Sequence, residues 1–447
     1  MFSFIKSVIF SKPGMVFLVF VALLIPLSMV EDKILERSGY HDQVVIDIGN
    51  SWTREQTLMG PLVVVGYQTV KYNKAWNKES KIYETKSVYS HKTALLPLHS
   101  LVGNIYIDTE RRYRGIHEVP VYTATVEMKG EFDPSTLHGI GNISGFHKFR
   151  YAYVWLFASD QRGFLDLPEL ELKSESAVFI AGGYENIDSR GIKVPIDIDK
   201  LPKTDKVPMN VTFRLKGTEF FKVVPAARSN DIAISSDWAH PSFTGLYLPN
   251  SREIGDGFEA RWQVTDLATN LGRDLGECVD EKCSDLLENS FGVKLIDPVD
   301  VYQISERAVK YALLFIGIVF TAFFIAEVVK GLSIHPLQYL LVGAALSIFY
   351  LLLIALSEHI AFNQAYIIST AMCSVLLGYY GRYILGSWAG GLLMLFSVTG
   401  LFGLLNVILL AEDSALLLGA MLTFLMLTVV MMVTRDRNRL ANLDWSS

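Results

Sequence analysis

The stretch HPLQYLLVGAALSIFYLLLIALSEH, residues His335–His359, has no Lys, Arg, Asp or Glu before Glu358. Its apolar run His335–Leu356 has 22 residues, and a helix needs about 20 residues to cross the hydrocarbon core of a bilayer. A helix is the expected form because lipid offers no hydrogen-bond partner to a backbone N–H or C=O group. The stretch therefore predicts one transmembrane helix.

Similar runs lie at both ends of the chain. One precedes residue 31 and four more lie after residue 307: Pro13–Val30, Ala308–Val329, Ile360–Tyr380, Ile384–Leu410 and Ser414–Val433. The first run could instead be a cleaved signal peptide, but the sequence PLSMV that ends it has no convincing small-x-small cleavage site. We therefore expect an uncleaved anchor and a polytopic α-helical membrane protein with six transmembrane helices.

The charges concentrate between these two regions. The chain has 447 residues with 40 Lys and Arg and 46 Asp and Glu, and residues 31–307 hold 32 of the basic and 40 of the acidic ones. That segment has a net charge of −8, and it contains no basic stripe that could neutralise phosphates, which argues against nucleic-acid binding. The pattern predicts one large soluble insertion between the first and second transmembrane helices.

The positive charges predict the orientation. Cytoplasmic loops are enriched in Lys and Arg, and the short loops at 357–359 and 412–413 contain neither. We therefore expect both termini in the cytoplasm and residues 31–307 in the periplasm, with the domains 1–30, 31–307, 308–434 and 435–447. Seven basic residues then face the cytoplasm: Lys6, Lys12, Lys330, Arg382, Arg435, Arg437 and Arg439.

The insertion begins with a weak helical pattern over Glu31–Arg54 that could continue the first membrane helix, and Gly60-Pro61 ends it. Short β-branched and aromatic runs separated by turn residues then predict strands. No long amphipathic helices lie between them, so we expect a large, mainly antiparallel β domain. The predicted strands are Leu62–Val65, Ile105–Ile107, Val121–Met128, Tyr151–Phe157, Val178–Ile180, Val211–Leu215 and Phe220–Val224.

The cysteines and histidines give few candidates for chemistry. Cys278 and Cys283 lie in the predicted periplasmic domain, where a disulfide is possible, and two free thiols are the alternative. Cys373 is expected to pack within a helix. The nine histidines form no zinc-ligand spacing, and motifs for a nucleophile or a phosphate loop are missing. We predict no catalytic, metal or cofactor site.

Ionisable residues near the membrane are the remaining candidates for function. Glu327 falls in the last turn of the second membrane helix, where it is either an interfacial carboxylate near Lys330 or part of a buried pair or proton relay. Glu358 and His359 follow the third helix, and a solvated helix end is the simpler interpretation of both. With Glu412 and Asp413 they could form an acidic outer rim.

Several blocks of sequence resemble the CreD family of bacterial inner-membrane proteins. They include HPLQYLLVG at 335–343, SEH at 357–359, SDWAHPSFTG at 236–245, RAVKY at 307–311 and EDSALLLG at 412–419. The resemblance implies a role in cell-envelope integrity and altered tolerance of colicins and β-lactams, and it supplies no catalytic residue.

Three functions remain open from the sequence. The first is a non-catalytic scaffold that contacts envelope or membrane proteins, with lipid around its helices. The alternative is a transporter or flippase in which Glu327 matters. An envelope enzyme would need a polar pocket, for example around Asp237 and His240, and the sequence contains no motif for one.

Overall fold

The computed structural model describes residues 12–77, 82–115, 117–173, 175–183, 191–280, 283–296, 301–330, 333–411 and 415–434. The chain divides into two compact units, Met1–Gln43 with Val299–Ser447 and Val44–Pro298. Several residues discussed above lie outside the described part: Lys6, Glu412, Asp413, Arg435, Arg437 and Arg439.

The described part of the chain begins with two consecutive helices, α1 (Lys12–Ala22) and α2 (Leu24–Ser51). The weak pattern over Glu31–Arg54 therefore corresponds to a real helix that continues the first apolar one. The first strand follows almost at once and passes through Gly60-Pro61, where the sequence pattern had placed only a break. Pro61 lacks an N–H donor, and the register of the pairing with the strand Phe146–Ala158 shifts between Met59 and Leu62.

Val44–Pro298 is a β domain with two eight-stranded sheets. The first sheet contains β1 (Gln56–Asn77), β2 (Ile82–Leu96), β5 (Phe146–Ala158), β8 (Ile180–Ala181), β9 (Ile192–Pro195), β11 (Phe220–Val224), β13 (Pro241–Gly245) and β16 (Phe291–Leu295). The second contains β3 (Leu98–Arg114), β4 (His117–Phe132), β6 (Glu169–Leu172), β7 (Glu175–Val178), β10 (Val207–Thr218), β12 (Ala227–Ser236), β14 (Ser251–Ile254) and β15 (Phe258–Thr265).

Most strand pairs are antiparallel, and two are parallel. β1 pairs with β11 in parallel, with Gln56 opposite Phe221, and β3 pairs with β12 in parallel, with Ser100 opposite Ser229. The predicted β domain is therefore confirmed as a large mixed β domain, in which antiparallel pairs predominate among the described strands. Parallel partners come from distant parts of the chain, which local patterns do not reveal.

Four helices complete the β domain: α3 (Ser135–Gly141), α4 (Asp266–Thr269), α5 (Leu271–Asp280) and α6 (Ser284–Glu288). One face of the first sheet packs on the second sheet through residues such as Val63 and Val65. Leu62 and Val64, on the other face, pack with residues of α5 and α6. Burial on both faces explains why the sequence is apolar without alternation here.

A buried glutamine links the two sheets at one end of the β domain. Gln56 is fully buried, and its Nε2 donates to the carbonyl oxygens of Asp160 and Lys216 at 3.0 and 2.9 Å. Its Oε1 accepts from the backbone N–H of Asp160 at 3.3 Å. Since Lys216 belongs to β10 and Gln56 to β1, one side chain holds both sheets together.

The Asp160 carboxylate beside this glutamine accepts from the Arg162 guanidinium at 2.6 and 2.9 Å. This hydrogen bond is the main cause that lowers the pKa of Asp160, although partial burial opposes it. A carboxyl group with a lowered folded-state pKa stabilises the fold above its unfolded value of about 4, and the contribution is lost as the pH falls through the folded-state pKa.

We expect Asp160→Asn to reduce the free energy of unfolding of the β domain by about 1 kcal/mol at neutral pH, because the bond to Arg162 loses its charge. The difference from the unchanged protein should shrink as the pH falls below about 4. Urea unfolding of the full-length protein, followed by tryptophan fluorescence at neutral pH and below about pH 4, measures this difference in the free energy of unfolding. An equal difference at the two pH values would contradict the stabilising role of the charged bond between Asp160 and Arg162.

Within the described residues, the other unit contains five more helices: α7 (Val301–Lys330), α8 (Pro336–Ser357), α9 (Phe362–Ile384), α10 (Trp388–Leu410) and α11 (Ala415–Thr434). Within the described residues, four segments are long and apolar enough to span a membrane: Gly14–Ser51, Val301–Glu327, Pro336–Ser357 and Trp388–Leu410. The helix α9 has sufficient length but more polar residues, and α11 contains a shorter apolar stretch, Leu417–Val429. Four of the described helices are therefore capable of spanning a membrane, and the six predicted spans are not all confirmed.

The helix boundaries follow local capping. His335 caps α8 in a capping box with Gln338, and Pro336 occupies the first turn. The run Ile384–Leu410, in contrast, is divided. Gly386 adopts φ +67°, and the Ser387 side chain accepts from the Gly390 N–H at 3.0 Å, so α10 begins at Trp388.

Candidate functional sites

Glu327 lies in the last turn of α7 and is only 5% exposed. One carboxylate oxygen accepts from the backbone N–H of Ile334 at 2.8 Å, and the other accepts from the Tyr339 hydroxyl at 3.3 Å. The Glu327 side chain is therefore buried within the described residues rather than solvated. The acid instead connects the end of α7 to the start of α8.

Aromatic rings enclose this connection. Tyr339 is 1% exposed, and its ring centroid lies 5.2 Å from that of Phe320 and 5.9 Å from that of Phe323. Both partner rings belong to α7, the helix that also carries Glu327. Packing of the Tyr339 ring on them directs its hydroxyl to the Glu327 carboxylate. A buried carboxylate with two donors is held in one place, which suits a structural role.

Glu358 and His359, at the end of α8, differ in their exposure to solvent. His359 is exposed, as expected for a solvated helix end. The Glu358 side chain is only 9% exposed, and its Oε1 lies 3.5 Å from the Nε of Arg37 on α2. Glu358 therefore joins two helices of its unit through an ion pair, which corrects the solvated interpretation for this residue.

A group of buried hydroxyls in the helical unit was not predicted. Tyr350 on α8 and Ser369 and Ser374 on α9 each bury a hydroxyl for which the described residues provide no hydrogen-bond partner. The neighbouring Cys373 donates its Sγ–H to the Ala345 carbonyl at 3.5 Å, consistent with a packing role. A signal was present in the sequence, because the segment that forms α9 contains more polar residues than the other predicted spans.

The two cysteines of the β domain form a disulfide in the structure. Cys278 and Cys283 are buried with Leu271 and Leu275 of α5 and Leu286 of α6 against the outer face of the first sheet. The bridge fixes the end of α5 to the start of α6. Its surroundings are apolar, so this disulfide has the character of a structural staple.

The β domain also carries an exposed two-stranded extension, which we call the ribbon: Val70–Asn77 of β1 paired with Ile82–Tyr89 of β2. The pairing of β1 with β5 ends at Thr69, and the Val70 N–H still donates to the Gly145 carbonyl at 2.7 Å. Beyond Val70, the described ribbon residues pair only with each other. Sequence reasoning missed it because lysines, asparagines and serines interrupt its apolar positions.

One face of the ribbon is aromatic. Residues paired directly across an antiparallel ladder lie on the same face, and Trp76 is opposite Tyr83 while Tyr89 is opposite Val70. The exposed fractions of Tyr72, Trp76, Tyr83 and Tyr89 are 69%, 52%, 67% and 52%. Trp76 and Tyr83 meet edge to face, with ring centroids 5.1 Å apart. This is a large aromatic surface exposed to solvent.

The described residues contain no group of three or more His, Cys, Asp or Glu side chains that could hold a metal ion. Asp237, which with His240 could have marked an enzyme pocket, accepts from the N–H and hydroxyl of Thr109 at 3.2 and 2.9 Å. These bonds position a turn after β12.

Four apolar helices and a β domain between the first and second of them define an integral membrane protein with one large insertion. The sequence model of the family described as "Inner membrane protein CreD" matches residues 8–445. The chain therefore belongs to the CreD family of inner membrane proteins, which confirms the resemblance. It is similar to the inner membrane protein CreD of Escherichia coli (strain K12), with 33% identity over 444 residues, 99% of this chain and 94% of the relative.

Proposed function

We propose that this membrane protein is a non-catalytic scaffold of the bacterial cell envelope that supports envelope integrity and tolerance of stress, antibiotics or colicins. In this proposal six helices cross the inner membrane, both termini are cytoplasmic, and residues 31–307 are periplasmic. The absence of Lys and Arg from 357–359 and 412–413 supports the orientation. Membership of the family supports the location in the inner membrane.

The ribbon is the observation that carries the scaffold function. Trp and Tyr are the side chains that most often supply binding energy at protein interfaces, and four of them share the exposed aromatic face. Beyond Val70, the strand edges of the ribbon are also unpaired in the described residues, which allows a partner strand to be added. Soluble proteins rarely leave such an edge and such a patch without use.

The charge of the ribbon indicates the kind of partner. The ribbon strands contain three basic residues, Lys71, Lys74 and Lys86, and one acidic residue, Glu84. The segment 31–307 around them has a net charge of −8. Local positive charge in an acidic domain complements an acidic partner surface. We therefore commit to an acidic envelope or membrane protein as the partner.

Photocrosslinking from position 76 tests this function. A photoreactive amino acid replaces Trp76 in the full-length protein in cells, and we expect adducts with one acidic envelope protein. Tyr72→Ala with Tyr83→Ala should weaken that complex about 30-fold, since two hot-spot side chains are lost. The same variant should reduce envelope tolerance without lowering the amount of folded protein.

Position 113 provides the matched control. Tyr113 on β3 is 68% exposed, outside the ribbon. Adducts with the same protein from position 113, adducts with lipid alone from position 76, or unchanged tolerance in the ribbon variant would each contradict the proposal.

A transporter is the second candidate, and the buried polar groups of the helical unit favour it. Glu327, Tyr350, Ser369 and Ser374 all bury oxygen atoms within segments that the sequence predicts to be membrane-embedded. Such groups often mark substrate or proton paths. Glu327, however, is engaged by two donors, so its charge is committed to the α7–α8 connection.

A further inference from the structure

The β domain contains a cleft that none of the functions above uses. It has a volume of about 730 Å³ and lies between β2 and α5. That volume is within the range of about 300–1,000 Å³ that is typical of small-molecule sites. Because β2 and α5 belong to the same compact unit, the cleft is formed within the β domain alone.

The cleft is amphipathic. Its floor includes the buried side chains of Tyr67, Leu95, Leu271 and Leu275, which are all at most 8% exposed. Its rim carries three exposed basic side chains, His91, Lys92 and Arg228. Asp266 is the one acidic residue that lines the cleft. The Arg150 guanidinium adds a further cation nearby, with its Nη1 3.1 Å from the Nε2 of His91.

Two glycines keep the helical wall of the cleft open. Gly272 and Gly276 are one turn apart on α5 and both line the cleft. A Cβ atom added at either position would meet nothing within 4 Å. Each glycine costs roughly 1 kcal/mol in a helix interior relative to alanine, and the close packing of α5 on the sheet does not require them.

The wall is also fixed in position. Leu271 and Leu275 anchor α5 on the first sheet, and the disulfide of Cys278 holds the end of the same helix. A rigid wall with an open glycine surface is a preformed cavity, which reduces the cost of ordering the site when a ligand binds.

We propose that this cleft binds an anionic amphiphile with a single alkyl chain. The chain lies on the apolar floor along Gly272 and Gly276, and the anionic head group pairs with Lys92 and Arg228. Burial of the chain provides affinity in proportion to its apolar area, and the two cations select the negative head group. A free fatty acid and a lysophospholipid share this chemistry.

Photolabelling with a diazirine-bearing palmitate tests the site in full-length protein in phosphatidylcholine nanodiscs. We expect saturable adducts within the peptide 271–279. Unlabelled palmitate should compete, whereas hexadecanol, which lacks the charge, should not. If lysophosphatidylglycerol also competes, the ligands include lysophospholipids. If only palmitate competes, the ligand is a free fatty acid. Both results support the proposal.

Gly276→Leu is the decisive variant, because its side chain fills the cleft while leucine favours the helix. We expect labelling to fall at least tenfold with an unchanged or higher melting temperature. Gly139→Leu on α3, where an added Cβ also meets nothing within 4 Å, is the control and should label normally. Lys92→Ala and Arg228→Ala should each weaken labelling about tenfold, the value of one charge-assisted contact.

The proposal fails if Gly276→Leu labels as well as the unchanged protein, or if hexadecanol competes as well as palmitate. It also fails if the adducts are distributed over the helical unit without enrichment in 271–279. None of these outcomes depends on the partner of the ribbon, so the two proposals can fail separately.

Discussion

Replacement of Gln56 by leucine should lower the free energy of unfolding of the β domain by about 3 kcal/mol. Leucine has a similar size but cannot replace the bonds to the Asp160 N–H and the Lys216 carbonyl. Each buried polar group left without a partner costs about 1–3 kcal/mol. The loss should be larger than that of most surface substitutions because the same side chain joins both sheets.

Chemical unfolding of the full-length protein, followed by tryptophan fluorescence, measures this loss. Gln263→Leu is the matched control, because Gln263 is exposed on β15 and makes only one weak side-chain bond, 3.3 Å to Asp231. We expect the control to change stability by at most about 0.5 kcal/mol. Equal effects of the two substitutions would show that Gln56 does not link the sheets.

Glu327→Leu should destabilise the helical unit by about 3 kcal/mol. The substitution leaves the Ile334 N–H and the Tyr339 hydroxyl buried without their acceptor, and this loss exceeds the gain from a more apolar side chain. Glu327→Gln should cost far less, because the amide oxygen still accepts from Ile334 and the amide group can donate to Tyr339.

The same pair of variants separates the two candidate functions. Thermal denaturation in detergent gives the stability of each, and an envelope-tolerance assay gives its activity. A scaffold should keep its activity in Glu327→Gln, since the structure of the α7–α8 connection persists. A transporter that moves protons through this carboxylate should lose activity while remaining folded, and that result would replace the scaffold proposal.

The sequence predicted the elements whose burial is simple. Apolar runs such as His335–Leu356 became helices because their residues are apolar on nearly every side. Leu62–Val65 became part of a central strand because both of its faces are covered. In each case a continuous apolar stretch had one favourable structure.

The remainder depends on contacts between distant residues. Gln56 looks like a surface residue until β10 and the end of β5 approach it, and the parallel pair β1–β11 joins segments far apart in the chain. The ribbon was not predicted, because its exposed strands have no buried face that would impose an alternation of apolar and polar residues. Near Glu327 the predicted helix end was correct, but only the contact with α8 buries the carboxylate.

The order of strands in the first sheet has a consequence for biosynthesis. β1 is made first and lies in the interior of the sheet, whereas β16, made last, joins β11 and β13. β13 pairs only with β16 among the described strands, so it has no partner in the sheet until synthesis reaches Leu295. The completion of this side of the sheet is therefore a late event in folding.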